Sequence, residues 1–159
     1  MPLEDHLRKT IEKSKIHKSD KSDLRKLMAS HLTAGQKLAH MGMLREAIAE
    51  YEKEHTRPIK SSADAMIVQE SYDLKGRAYR NLGDNENAII AFQKARDLLE
   101  QYRVGSWPQL DLAEIYIEHG RFDEAIEMCQ EVLARGSEWN AKQLLAKALA
   151  LKADHAAQE

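Results

Sequence analysis

The sequence is poor in residues that interrupt helices and in residues that mark several specialised protein classes. Its 159 residues include one cysteine, three prolines and seven glycines, and only 6% are aromatic. The single cysteine, Cys129, excludes an intrachain disulfide and is typical of a reducing compartment. No run of about 18 apolar residues occurs, so no transmembrane helix is predicted. The chain starts with acidic rather than apolar residues, which predicts no signal peptide. We therefore expect a cytoplasmic location.

The sequence also lacks a strong excess of charge of either sign. Its net charge is −2 and its pI is about 6.4, whereas nucleic-acid-binding domains usually carry a basic excess. The lysine-rich residues 8–21 are interspersed with carboxylates and contain no aromatic side chain for base stacking. A solvated charged helix explains this segment better than a nucleic-acid contact.

What the sequence does contain favours an all-α fold. It is 43% hydrophobic and 31% charged. Alanine, leucine, glutamate, lysine and glutamine dominate, and all of them are good helix formers.

Three segments share one pattern of small and aromatic residues. In each segment a glycine precedes an alanine by five residues: Gly42 and Ala47, Gly83 and Ala88, Gly120 and Ala125. Four residues after these alanines stand Tyr51, Phe92 and Cys129. Earlier in each segment a small residue precedes a larger one by three positions: Gly35 and Leu38, Gly76 and Tyr79, Ala113 and Tyr116. Such self-similarity indicates a repeat protein.

The pattern resembles the tetratricopeptide repeat family over about residues 28–139, with copies at about 28–61, 69–102 and 106–139. The resemblance implies two antiparallel helices per copy, stacked into a right-handed superhelical α/α solenoid. Small residues would let paired helices approach, and the glycines would end each first helix in a left-handed conformation. The copies depart from the family pattern where Lys75, Gln109 and Cys129 replace the usual leucine and aromatic residues.

The copies are separated by more than the family's step of about 34 residues. The glycine-to-glycine steps are 41 and 37 residues. In the extra residues between the first and second copies, Pro58 is expected to end a helix. Ser61 or Ser62 is expected to cap a long helix that runs to about Asn81. Between the second and third copies, the sequence Ser-Trp-Pro-Gln at 106–109 predicts a capping box with an early proline.

The two ends of the chain differ from the repeats. Residues 1–22 are predicted to form a charged helical extension. Its narrow apolar stripe at Leu3, Leu7 and Ile11 is expected either to dock on the first repeat or to stay loose. Residues 23–159 form the repeat domain. It closes with a capping helix over about 137–156, which Ser137 would cap and Trp139 would seal.

The chain carries no recognisable catalytic or metal-binding motif. Its seven histidines are scattered, and neither paired cysteines nor an HExxH sequence occurs. Cys129 occupies a slot that aromatic residues fill in the other copies, which predicts a buried packing thiol. No glycine-rich phosphate-binding loop is present. We therefore predict no catalytic residue, no metal site and no cofactor.

The resemblance implies a function through a concave groove, which the first helix of each repeat lines and which receives peptides or helices. By repeat register the groove residues are expected to be Gln36, His40, Glu70, Asp73, Arg77, Arg80, Trp107, Leu110, Glu114 and Ile117. One subset of the family grips the C-terminal carboxylate of heat-shock chaperones with lysine, asparagine and arginine. The matching positions here are mostly Leu32, Gln36, Leu74, Trp107 and Asp111, so the sequence departs from that clamp.

Three groove residues have two interpretations each. Arg77 and Arg80 either bind a partner's carboxylate or pair with Asp73, Glu70 or Asp84 along the helix surface. Trp107 either anchors a partner or staples the start of its helix.

The predicted function is a non-enzymatic protein-interaction module or adaptor that binds a peptide or helix of a partner protein. The alternative is a self-assembling scaffold that forms homo-oligomers through its terminal helices.

Overall fold

The computed structural model describes residues 9, 26, 27, 29–105, 107–136 and 139–159. The predicted stripe of Leu3, Leu7 and Ile11 lies outside these residues, as do the predicted caps Ser106 and Ser137 and the side chain of Trp139. The division of the chain into an extension and a repeat domain stays a prediction.

Seven helices are defined within the described ranges, where every regular element is helical. They are α1 (Ala34–His40), α2 (Leu44–Glu54), α3 (Ser62–Asn81), α4 (Asn85–Tyr102), α5 (Pro108–Glu118), α6 (Phe122–Ala134) and α7 (Trp139–Ala157). Each helix packs against the next one in the sequence, and α7 also touches α5. Short connections make such consecutive helices antiparallel neighbours. The predicted all-α solenoid of helix pairs is confirmed.

The three helix pairs turn at the three predicted glycines. Gly42, Gly83 and Gly120 have φ values of +76°, +80° and +70°. After each glycine, the next backbone N–H donates to a carbonyl five residues back, as in a Schellman motif. The donors and acceptors are Met43 to Leu38, Asp84 to Tyr79, and Arg121 to Tyr116. The same local chemistry therefore ends α1, α3 and α5.

A close approach between paired helices explains why small and large residues alternate between the copies. A Cβ atom on Gly76 would lie 2.7 Å from the Phe92 ring, and one on Gly35 would lie 2.5 Å from the Tyr51 ring. In the third pair the same spacing of 16 residues joins Ala113 to Cys129. The third copy thus has alanine where the other first helices have glycine, and cysteine where the other second helices have an aromatic ring.

The core runs as two clusters along the stack of helices. The first lies among α1, α2 and α3 and contains Leu38, Ala47, Ile48, Tyr51 and Ala78. The second spans α4 to α7 and is centred on Phe92, Leu112, Ile115, Met128 and Cys129. The burial of Cys129 confirms the packing role predicted for its thiol.

The long helix α3 and the loop after α4 account for the irregular spacing. Ser61 accepts a hydrogen bond from the Asp64 N–H and caps α3, which ends at Asn81 as predicted. After α4 the chain passes through Arg103 at φ +55° and Gly105 at φ +93°. The buried Gln69 side chain fills the space where a Cβ atom of Gly105 would stand, at 2.1 Å from it. This loop therefore requires glycine at its centre.

The prediction for the start of α5 is partly wrong. Pro108 does occupy the first turn, but the N-cap is Trp107, which makes no side-chain capping bond. Gln109 was expected to close a capping box with Ser106. It is instead fully buried, and its amide lies 3.4 Å from the Glu131 carboxylate of α6. The position of the Gln109 side chain is therefore set by packing against α6 rather than by a local capping motif.

Candidate functional site

The first helix of each pair carries the residues that the sequence assigned to a groove. We call the surface that these residues form on α1, α3, the start of α5 and α5 itself the first-helix face. Eight of the ten predicted residues keep exposed or half-exposed side chains there: Gln36, His40, Glu70, Arg77, Arg80, Trp107, Leu110 and Glu114. They supply a surface that is mostly polar and charged.

The other two predicted residues do not offer surface to a partner. Ile117 is only 7% exposed and belongs to the core cluster of α4 to α7. Asp73 is 3% exposed, and its carboxylate lies 3.2 Å from Arg77. The repeat register placed both residues on the right helices, but their side chains serve packing and an internal ion pair. This corrects the expectation that they face a groove.

Two arginines join α3 to α5 across the first-helix face. Arg80 donates to Glu114 at 2.6 Å and to Glu118 at 2.8 Å, both on α5. Arg77 lies 3.2 Å from Asp73 on its own helix and 3.5 Å from Asp111 on α5. The expected pair with Asp73 is present, but the partners of Arg80 are on α5 rather than at Glu70 or Asp84. Charge-assisted hydrogen bonds of this kind fix the relative position of the two helices.

Carboxylates outnumber arginines on this part of the face. Four acidic side chains with exposed or partly exposed surface accompany the two arginines: Glu70, Asp111, Glu114 and Glu118. Burial raises the pKa of the Asp111 carboxyl, although the nearby Arg77 guanidinium opposes that rise. An excess of negative charge in a partly dehydrated surface favours a cationic partner and disfavours an anionic one.

Trp107 lies where the chain enters α5. Its side chain is half-buried, and its backbone caps the helix. A half-exposed tryptophan beside the partly exposed Leu110 is the apolar part of the first-helix face. Both interpretations, a partner anchor and a staple at the helix start, stay predictions.

A cleft of about 300 Å³ separates α1 and α2 from the first half of α3. We call it the α1–α3 cleft. Its lining consists of Thr33, Ala34, Gly35, Gln36, Glu50, Tyr51, Glu54, Arg57, Ile67, Glu70, Ser71 and Leu74. Of the helices beside the cleft, α1 has 7 residues and α3 has 20. Gln36 and Glu70 connect the cleft to the first-helix face.

Hydrogen bonds hold the mouth of the cleft in place. Thr33 caps α1 in a capping box, in which its N–H donates to Gln36 Oε1 at 3.0 Å and its Oγ1 accepts from the Gln36 N–H. On the opposite side, Arg57 donates to Glu54 at 2.7 Å and lies 3.6 Å from Asp64. The edges of the cleft are therefore preorganised.

Tyr51 lines the cleft, although it is only 5% exposed, and its ring packs against the bare backbone of Gly35. Burial, reinforced by the negative charge of Glu70, raises the pKa of Tyr51 to about 12. The hydroxyl thus stays neutral over the physiological range. Apolar contact comes from Ile67 and Leu74 on α3.

The sequence did not reveal the cleft. Glu50, Glu54 and Arg57 stand on α2 and in the loop after it, away from the helices expected to line a groove. The one available signal was the threonine and glutamine of the capping box at positions 33 and 36, which marks the late start of α1.

The described part of the chain shows no arrangement typical of a metal site. Within it, no group of three or more histidine, cysteine, aspartate or glutamate side chains is placed to hold a metal ion. Burial raises the pKa of the Cys129 thiol to about 11, so the thiolate required of a nucleophile is scarce at neutral pH. Among the described helices, none is both long and apolar enough to span a membrane.

No curated protein matches the chain. Residues 67–138 match the model of the tetratricopeptide repeat, and the match runs from within α3 to just before α7. It covers the glycine turns at Gly83 and Gly120 and the close approach of Gly76 to Phe92 described above. Residues 67–138 are thus similar to the tetratricopeptide repeat, whose members generally mediate interactions between proteins and are typically not enzymes.

Proposed function

We propose that this chain is a non-enzymatic adaptor that binds a peptide or helix of a partner protein on its first-helix face. The observation that carries the proposal is the exposure of eight side chains on neighbouring first helices. A solenoid of this kind builds one continuous surface from short segments of several helices.

The arginine bridges support the proposal by making that surface rigid. Arg77 and Arg80 connect α3 to carboxylates of α5 before any partner arrives. A preformed surface lowers the entropic cost of binding. The bridges also weaken the earlier idea that these arginines await a partner's carboxylate, because such a ligand would have to displace Asp111, Glu114 and Glu118.

The proposed site of action is the cytoplasm. It is supported by the single buried thiol, Cys129, which has no cysteine partner in the chain. The excess of carboxylates on the first-helix face makes a nucleic-acid ligand an unfavourable alternative.

Affinity capture from the lysate of the native host tests the proposal. The bait is the full chain, run beside a His40→Ala/Arg77→Ala/Glu114→Ala variant of the first-helix face. The matched control is Glu86→Ala/Ile90→Ala, which alters exposed side chains of the second helix α4. All three proteins must show the same helical circular dichroism spectrum.

We expect a specific protein to be captured by the parent and the control and lost from the first-helix variant. Equal capture by all three proteins would overturn the proposal. Sedimentation of the purified parent addresses the self-assembly alternative, which predicts a mass above 18.1 kDa that rises with concentration. A monomer at all concentrations would exclude it.

A further inference from the structure

We propose that the α1–α3 cleft receives a lysine or arginine side chain from the partner segment, so that the partner is a basic peptide or helix. The inference rests on the proposed function, since it names the chemistry of the segment bound beside the first-helix face. It is carried by the cleft's shape, its apolar floor and its acidic rim.

The floor of the cleft suits the aliphatic part of a long cationic side chain. The Tyr51 ring, Ile67 and Leu74 present apolar surface, and Gly35 adds no side chain that would shorten the cleft. Lysine and arginine bury their methylene stems on such surfaces while the charged group reaches a polar edge. A short acidic side chain could not make both contacts.

The rim of the cleft carries the complementary charge. Three glutamates line it, Glu50 and Glu54 from α2 and Glu70 from α3, against the single cation Arg57. Glu50 pairs with Lys53 at 2.6 Å, and Glu54 pairs with Arg57 at 2.7 Å. Among the described residues Glu70 makes no ion pair, and its side chain is exposed at the mouth. It is therefore the carboxylate available to an incoming cation.

The size of the cleft limits what can enter it. Its volume of about 300 Å³ is at the lower end of the range of roughly 300–1,000 Å³ found for small-molecule sites. A single long side chain suits this volume, while the main chain of the partner continues over the first-helix face towards Arg77. Asp111 and Glu114 along that path are already paired with Arg77 and Arg80, so Glu70 is the carboxylate that sets the preference for a cation.

Fluorescence anisotropy with three synthetic peptides tests the inference. The probes are labelled twelve-residue peptides in which alanine alternates with lysine, with glutamine or with glutamate. They are titrated with the full chain at about 0.15 M salt, where interactions beyond roughly 8 Å are screened. We expect the lysine peptide to bind at least about tenfold more tightly than the glutamine peptide, as a gain of about 1.4 kcal/mol would give. The glutamate peptide should show no saturation.

Two matched variants locate the contact. Glu70→Gln removes the free carboxylate and should weaken binding of the lysine peptide by about three- to tenfold, the range for a charge-assisted hydrogen bond at a partly exposed site. Glu86→Gln makes the same change on α4 and should leave the affinity unchanged. In ¹⁵N spectra of the parent, the lysine peptide should shift the amide signals of Gly35, Glu70 and Leu74.

Each other outcome has a distinct meaning. Equal affinity for the lysine and glutamine peptides, no effect of Glu70→Gln, or amide shifts confined to other helices would overturn the inference. A parent dimer that the lysine peptide dissociates would make a second copy of the chain the occupant, which also overturns it. Loss of capture in the first-helix variant alongside any of these results would leave the proposed function standing without its basic partner.

Discussion

Because Gly76 lies so close to Phe92, we predict that the effect of Gly76→Ala on the free energy of unfolding changes sign when the Phe92 ring is removed. In the parent, Gly76→Ala would place a methyl group 2.7 Å from a ring that is fully buried. Overpacking of a core costs about 1–3 kcal/mol. Replacing glycine by alanine inside a helix contributes about 0.5–1 kcal/mol in the opposite direction. We therefore expect Gly76→Ala to destabilise the parent by about 1–2 kcal/mol.

The result should reverse once the ring is removed. Phe92→Ala itself costs about 3–5 kcal/mol because it empties a packed site. In that background there is room for the methyl group that Gly76→Ala adds. Only the higher helix propensity of alanine and partial filling of the cavity then affect stability. The second substitution should then stabilise by about 0.5–1 kcal/mol. The difference between the two backgrounds, about 1.5–3 kcal/mol, is the coupling between the two positions.

Urea unfolding followed by circular dichroism at 222 nm measures all four proteins of this cycle. If Phe92→Ala leaves too little folded protein, Phe92→Leu provides a milder background in which the coupling should keep its sign. A Gly76→Ala effect of the same sign and size in both backgrounds would refute the steric reasoning. It would show that the glycine serves some purpose other than room for the ring.

Three further predictions concern the ion pairs, a histidine and the thiol. Arg80→Ala should lower the free energy of unfolding by about 0.5–1.5 kcal/mol, since its side chain is partly exposed; urea midpoints unchanged by the substitution would contradict the bridge. Burial, and then the charge of Lys75, lower the pKa of His55, which stacks on Tyr72 at 3.6 Å, while Glu52 opposes the shift. The folded state thus favours neutral His55. The contribution of His55 to the free energy of unfolding is therefore present above its ordinary pKa of 6.5 and is lost as the pH falls below that value. His55→Phe should therefore make the urea midpoint depend less on pH between pH 7 and pH 5 than it does in the parent. The same pH dependence in both proteins would contradict the role given to His55. Cys129 should react with Ellman's reagent only after unfolding, so labelling within the mixing time of native protein would contradict its burial.

Short-range features of the fold could be read from the sequence because they depend on neighbouring residues. Gly42, Gly83 and Gly120 had to adopt positive φ to end α1, α3 and α5, and Ser61 had an amide donor three residues away. The start of α5 was predicted less well, because Gln109 found Glu131 on another helix rather than a local partner.

The candidate site could be read only in part because it depends on separations of 34 residues and more. Arg80 meets Glu114 and Glu118 only after α3 and α5 are stacked, and sequence spacing within one helix gives no sign of those pairs. For Ile117, the repeat register predicted the correct helix but not that the side chain is buried. The α1–α3 cleft is lined by residues of three helices and of the loop after α2, which no single motif encodes.

Site-specific photo-crosslinking tests the central claim, binding on the first-helix face, most directly. Benzoylphenylalanine is placed at Leu110 on α5, a partly exposed position that the capture variant leaves intact, or, as the control, at the exposed Ile90 on α4. Each protein is irradiated in lysate of the native host, and the products are identified by mass spectrometry. The account predicts a specific crosslinked protein from position 110 and none from position 90. A specific product from position 90 with none from position 110 would contradict it.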